Sequence, residues 1–175
     1  MRYGTRTILG RGWTPTGIRP RGRMHIGYKY YYLYLALSPI SGDVFALLLP
    51  RMNSKCYTVF LREFSRHLSS LGLIGEGQPK VRFIADNAGF HHAKEVAVPT
   101  GIIAEHIPPY SPELNPCERF FEEIRRSMKN KVAENVEDIE EVVVKALRHY
   151  WDNPNAVIQL TYWDWMNKKT IHTTS

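Results

Sequence analysis

Two acidic side chains stand where the sequence could do chemistry. Asp86 follows the apolar run Val81, Phe83, Ile84, Ala85, which places it at the end of a buried strand. Glu118 follows Asn115-Pro116-Cys117 and falls in the first turn of an amphipathic helix. Carboxylates delivered by separate elements can converge on a hard divalent cation such as Mg²⁺ or Mn²⁺, which takes oxygen ligands and keeps several waters. Each acid also has an ordinary reading. A strand-end Asp is often a turn residue, and Glu118 at N3, after an Asn115 cap and Pro116 at N1, completes a capping-box pattern.

The residues around the acids are unusual as a string. Asp86-Asn87-Ala88 is followed by His91, and Glu118 closes the run Pro108-Pro109-Tyr110-Ser111-Pro112-Glu113-Leu114-Asn115-Pro116-Cys117-Glu118. Asn87 could orient a ligand or contact DNA, and His91 could contact a phosphate or tune Asp86. Zinc is poorly served, since His91, His92 and His106 lack a cysteine or third-ligand pattern. A serine hydrolase is excluded, because no Gly-x-Ser-x-Gly elbow is present.

This string resembles the transposases of the mariner superfamily, in the branch carried by bacterial insertion sequences. DNAGFH is similar to that family's second-acid motif and PPYSPELNPCE to its third. Trp13, Gly17 and Pro20, then LALSPISGDVFALLLPRMN, are similar to the segment between its first and second acids, so the likeness covers most of residues 1–150. The resemblance implies a ribonuclease H-like fold, and Asp86 and Glu118 as catalytic metal ligands for Mg²⁺ or Mn²⁺. It also implies DNA cleavage at element ends, followed by transfer of a 3′-hydroxyl to target DNA. One departure stands out. Arg2-Tyr3-Gly4 is similar to the aromatic-Gly pair that follows the family's first acid, so that acid is expected upstream of Met1 and the central first strand is expected to be missing. Asp43, in the turn Ser41-Gly42-Asp43, is not taken as a substitute.

Charge points the same way. The net charge is +6, and Arg2, Arg6, Arg11, Arg19, Arg21, Arg23 and Lys29 all precede the first acidic residue, Asp43. A Gly/Pro-punctuated, Arg-dominated arm suits phosphate contact through the guanidinium fork, and Arg19, Arg21 and Arg23 are its candidates for binding DNA. The bland alternative is a solvated arm. Cys56 and Cys117 fit reduced core positions on helix faces. No run is long enough to span a membrane and no signal-peptide centre is visible, so a cytoplasmic, nucleoid-associated protein is expected.

Elements must hold these groups in place. Residues 1–27 read as loop or irregular hairpin and form the basic arm. Residues 28–150 read as the catalytic domain, and residues 151–175 as a tail with no functional reading. Tyr28–Leu37 and Val44–Leu49 are expected to pair antiparallel, with Tyr30, Tyr32 and Tyr34 on one face of the first strand. A helix capped by Asn53 or Ser54 carries Cys56, Phe60, Phe64 and Leu68 inward. A strand to Asp86, a short helix over His91–Val98, a strand Ile102–Ile107, the Glu118 helix to about Asn130 and a helix Glu137–Tyr150 complete an α/β mixed sheet. The expected partners are DNA ends and target, a homodimer or higher oligomer on DNA, and a separate upstream fragment. Two other readings stay open: a non-catalytic DNA-binding remnant, and a metal-dependent nuclease without strand transfer.

Overall fold

The computed structural model describes residues 1–10, 16–17 and 23–167. Strands β2 (Tyr30–Leu37) and β3 (Val44–Leu49) pair antiparallel in the register Leu35↔Ala46. Gly42 turns them with φ +79, and a Cβ there would meet the Pro154 carbonyl oxygen at 2.3 Å. Asp43 belongs to this turn, its carboxylate accepting from the Ser41 hydroxyl at 2.6 Å.

The expected irregular hairpin at the N-terminus is real. Strand β1 (Arg2–Gly4) pairs antiparallel with β2, and the ladder runs on through Thr5 N–H to the Lys29 carbonyl and Thr7 N–H to the His25 carbonyl. Tyr3, Thr5 and Thr7 are buried in it. The composition hid this strand, because its partner lies some twenty residues further along the chain.

Helix α1 (Ser54–Ser70) is capped by Asn53, whose Oδ1 accepts from the Cys56 N–H at 2.9 Å. Its buried face is Tyr57, Phe60, Leu61, Phe64 and Leu68. It leads to β4 (Val81–Ala85), which pairs parallel with β5 (Ile102–His106) in a separate sheet. Phe60 lies 5.6 Å from the Tyr34 ring and 6.3 Å from the Phe83 ring, so one helix packs across both sheets.

The opposite face of the first sheet carries Leu33 and Leu35 onto α2 (Pro116–Ser127) and α3 (Val136–Trp151) through Phe120, Ile124, Ile139 and Val143. The helix missed in the tail, α4 (Pro154–Thr161), joins this core through fully buried Val157. The Trp151 indole N–H donates to the Val44 carbonyl. Another expectation is corrected: His91–Val98 is no helix. Only Gly89–His92 forms a 3₁₀ turn, with no side-chain cap at Ala88 and extended backbone at Ala93.

Between the sheets the backbone is open. Leu33 exchanges both hydrogen bonds with Met1, at 2.8 Å each. By alternation Leu35 and Leu37 turn their N–H and C=O groups to that same edge, past Met1. On β4, Val81 and Ala85 bond toward β5, so Arg82 and Ile84 present theirs to the other edge. Among the described residues no strand lies against either row. Ile84, on the face of β4 away from α1, is 60% exposed.

Candidate metal and DNA site

Asp86 sits where β4 ends. Its Oδ1 accepts from the Ala88 N–H at 3.2 Å, the local turn that short acidic side chains make. The same oxygen is 3.1 Å from His91 Nδ1. That hydrogen bond, ahead of a burial effect in the other direction, holds the Asp86 carboxyl below its ordinary value. His91 is itself enclosed, with its side chain 9% exposed against 52% for Asp86, and its ring lies 4.2 Å from the Tyr57 ring. The tight turn missed in the sequence is thus tied down by its own side chains. His92 Nε2–H donates to Asn87 Oδ1, leaving the Asn87 amide nitrogen as the group it can offer a ligand.

Glu118 stands in the first turn of α2, below the cap made by Asn115, whose Oδ1 accepts from the Cys117 N–H at 3.0 Å. The expected capping box is not made. The Asn115 N–H donates instead to the Pro112 carbonyl at 3.0 Å, within the 3₁₀ turn Pro112–Leu114. In α3 the reciprocal box is complete, with Asp138 accepting from the Asn135 N–H at 3.2 Å. Glu118 therefore keeps its carboxylate free of the helix end. It opens onto a pocket of about 290 Å³ lined with Arg119 and Trp163, the Arg119 guanidinium standing 4.5 Å over the Trp163 ring. Trp163 is a site residue that sequence reasoning passed over, since an isolated aromatic in a tail carries no pattern.

The two acids share one neighbourhood. The Met1 ammonium, its pKa lowered by burial, is drawn upward again by Glu118 first and Asp86 second. The Cys117 thiol is pushed up to about 12, by burial first and then by the same two carboxylates. Carboxylate oxygens are the donors that Mg²⁺ and Mn²⁺ accept. The set is nonetheless short. Among the described residues no three His, Cys, Asp or Glu side chains are gathered to hold an ion.

Arg23 is exposed, two residues before His25, where the last bond of the ladder is made. Arg19 and Arg21 lie outside the described residues. Asp86, Asn87 and His91 share the turn after β4, and Glu118 opens α2. No described helix is long and apolar enough to cross a membrane.

Comparison with known proteins gives a family and a fold. A family model described as "DDE superfamily endonuclease" matches residues 1–142. The protein y4pE/y4sA of Sinorhizobium fredii (strain NBRC 101917 / NGR234), itself uncharacterised, is 28% identical over 138 residues, which is 78% of this chain and 97% of that one. The Mos1 mariner paired end complex with Mn superposes with a TM-score of 0.63 at 18% identity, over 91% of this chain and 51% of that chain. The catalytic domain of Mos1 mariner transposase superposes with a TM-score of 0.52 at 18% identity, over 78% and 77%. This chain thus spans about half the length of the Mos1 chain in the paired end complex. The shared fold is mixed α/β and ribonuclease H-like.

Proposed function

The chain belongs to the DDE superfamily of endonucleases, and from that premise we propose that it is the catalytic body of a mariner-type insertion-sequence transposase. In this reading Asp86 and Glu118 would hold divalent cations, Mg²⁺ or Mn²⁺. DNA would be cut at the element ends and a 3′-hydroxyl passed to target DNA. When bound, such ions supply an activated oxygen nucleophile and stabilise the charge that grows on the leaving oxygen. The chain's own residues do the rest. His91 keeps Asp86 ionised and oriented, the Pro112 turn frees Glu118 from capping, and Asn87 offers an amide donor beside them. The observation that supports the reading is Asp86 at the end of β4, held by His91, together with a Glu118 carboxylate that closes no helix cap.

Three acids are expected and two are present. The Mos1 neighbours are a paired end complex with Mn and a strand transfer complex. By analogy we propose that copies of this chain act as a dimer or larger assembly holding two DNA ends. The short acid set favours one rival, a DNA-binding remnant without chemistry. Mn²⁺ titration of the chain and of D86N and E118Q decides between them. We expect binding in the parent and a loss of about tenfold or more in either variant; equal weak binding in all three would leave the remnant reading. Joining of pre-cut ends to a target plasmid then separates a transposase from a nuclease that only hydrolyses.

A further inference from the structure

We propose that His106, the last residue of β5, is a positioning residue for the Asp86 carboxylate, acting through the Asp86 main chain and through His91. The inference rests on the reading of Asp86 as a metal-holding acid.

Two imidazoles converge on one carbonyl. The Asp86 carbonyl oxygen is 2.9 Å from His91 Nδ1 and 3.0 Å from His106 Nδ1. A carbonyl can only accept, so both rings carry their proton on Nδ1, and both lone pairs of the oxygen are taken. His91 Nδ1 is also 3.1 Å from Asp86 Oδ1, so its single N–H is shared between the carbonyl and the carboxylate of one residue. The share is set by His106. An oxygen already accepting one hydrogen bond is a poorer acceptor for a second, so the His106 bond shifts the His91 proton toward Oδ1. Without His106 the carbonyl competes for that proton at full strength, and the carboxylate keeps only the Ala88 N–H to orient it.

His106 also anchors the turn that carries these groups. Its ring lies 4.2 Å from the His92 ring and 6.0 Å from the His91 ring, and His92 in turn holds Asn87. Parallel pairing sets it there: His106 is the register partner of Ala85, the residue before the acid. One side chain on the neighbouring strand thus meets the backbone of Asp86 and the ring that grips Asn87. Outer groups of this kind, which orient a ligand without touching the ion, are commonly worth 10–100-fold in metal affinity.

The test uses the full chain, with Mn²⁺ alone as probe. His106→Asn puts an amide N–H at the bond position of Nδ1, whereas His106→Phe keeps a ring and removes the donor. We expect H106F to bind Mn²⁺ about tenfold more weakly and H106N to stay within about threefold of the parent. The ¹⁵N resonance of His91 Nδ1 should shift in H106F and return in H106N. A purely structural His106 would not give that rescue, because H106F preserves the ring packing. If H106F fails to melt cooperatively, His106→Leu, which also lacks the donor, takes its place with the same expectation. Parent-like affinity in the donor-less variant, or equal loss in H106N, overturns the proposal while a weakened D86N keeps the metal reading intact. A parent-like D86N overturns both.

Discussion

Glu118 offers the sharpest perturbation, because capping and metal binding predict different orders of stability among three variants. If its carboxylate closed a capping box, Glu118→Gln would keep the bond and Glu118→Ala would lose it, a difference of about 1 kcal/mol. In the structure the Asn115 N–H is already bonded to the Pro112 carbonyl, so neither substitution removes a cap. Both remove a negative charge from the first turn of α2, worth about 0.3–1 kcal/mol at an exposed site. The gap between the two variants should then fall within about 0.5 kcal/mol, under about 2 °C in melting temperature for a chain of this size. Asn115→Ala, by contrast, deletes the bond to the Cys117 N–H and should cost about 1 kcal/mol, or about 2–4 °C. Mn²⁺ affinity runs the other way, falling about tenfold or more in E118Q and E118A and holding in N115A. Thermal melts with and without Mn²⁺ read both quantities. An E118A less stable than E118Q by about 1 kcal/mol, with Mn²⁺ binding unmoved in both, would make Glu118 a cap and refute the argument.

The lowered pKa of Asp86 fixes a sign. Its contribution to stability is fully present above the ordinary Asp value of about 3.9 and is lost as pH falls through the lower folded value. His91→Phe removes the main cause, so a ¹³C titration of the Asp86 carboxyl should move up to the ordinary range or beyond; an unmoved titration would refute the His91 assignment. Replacing Arg19, Arg21 and Arg23 with Gln should flatten the log–log salt dependence of duplex binding by up to about 0.9 for each phosphate no longer neutralised, with Mn²⁺ affinity unchanged; the arm is merely solvated if the slope does not move. Tyr110 holds φ +61 while fully exposed. Tyr110→Gly should leave stability level or raised by up to about 1 kcal/mol as that strain is relieved, yet weaken single-strand binding by about 1–3 kcal/mol if the ring stacks on a base. A melt and a fluorescence-anisotropy titration check the two halves.

What was legible in the sequence was local and periodic. The four-residue spacing of Phe60, Phe64 and Leu68 announced α1, and the apolar run ending at Asp86 announced β4. What escaped depended on partners far along the chain. Strand β1 exists only through residues 25–33, some twenty residues further along the chain. His91 and His92 gave up a helix for a 3₁₀ turn because their rings bond back to Asp86 and Asn87, which helical propensity cannot foresee. Glu118 fitted a cap as well as a metal ligand, because pattern alone sees N3 and not the Pro112 carbonyl that takes the cap's N–H. His106 was weighed only as a zinc ligand, because its role comes from sheet register.

Leu35 and Leu37 on β2 and Arg82 and Ile84 on β4 turn backbone groups to edges that no described strand covers. Open edges are where an added strand binds, gaining main-chain hydrogen bonds. A strand bound there should raise the protection of the Leu35 and Ile84 amides from hydrogen exchange. Amides that stay unprotected when a matching strand peptide is supplied would refute this reading of the edges.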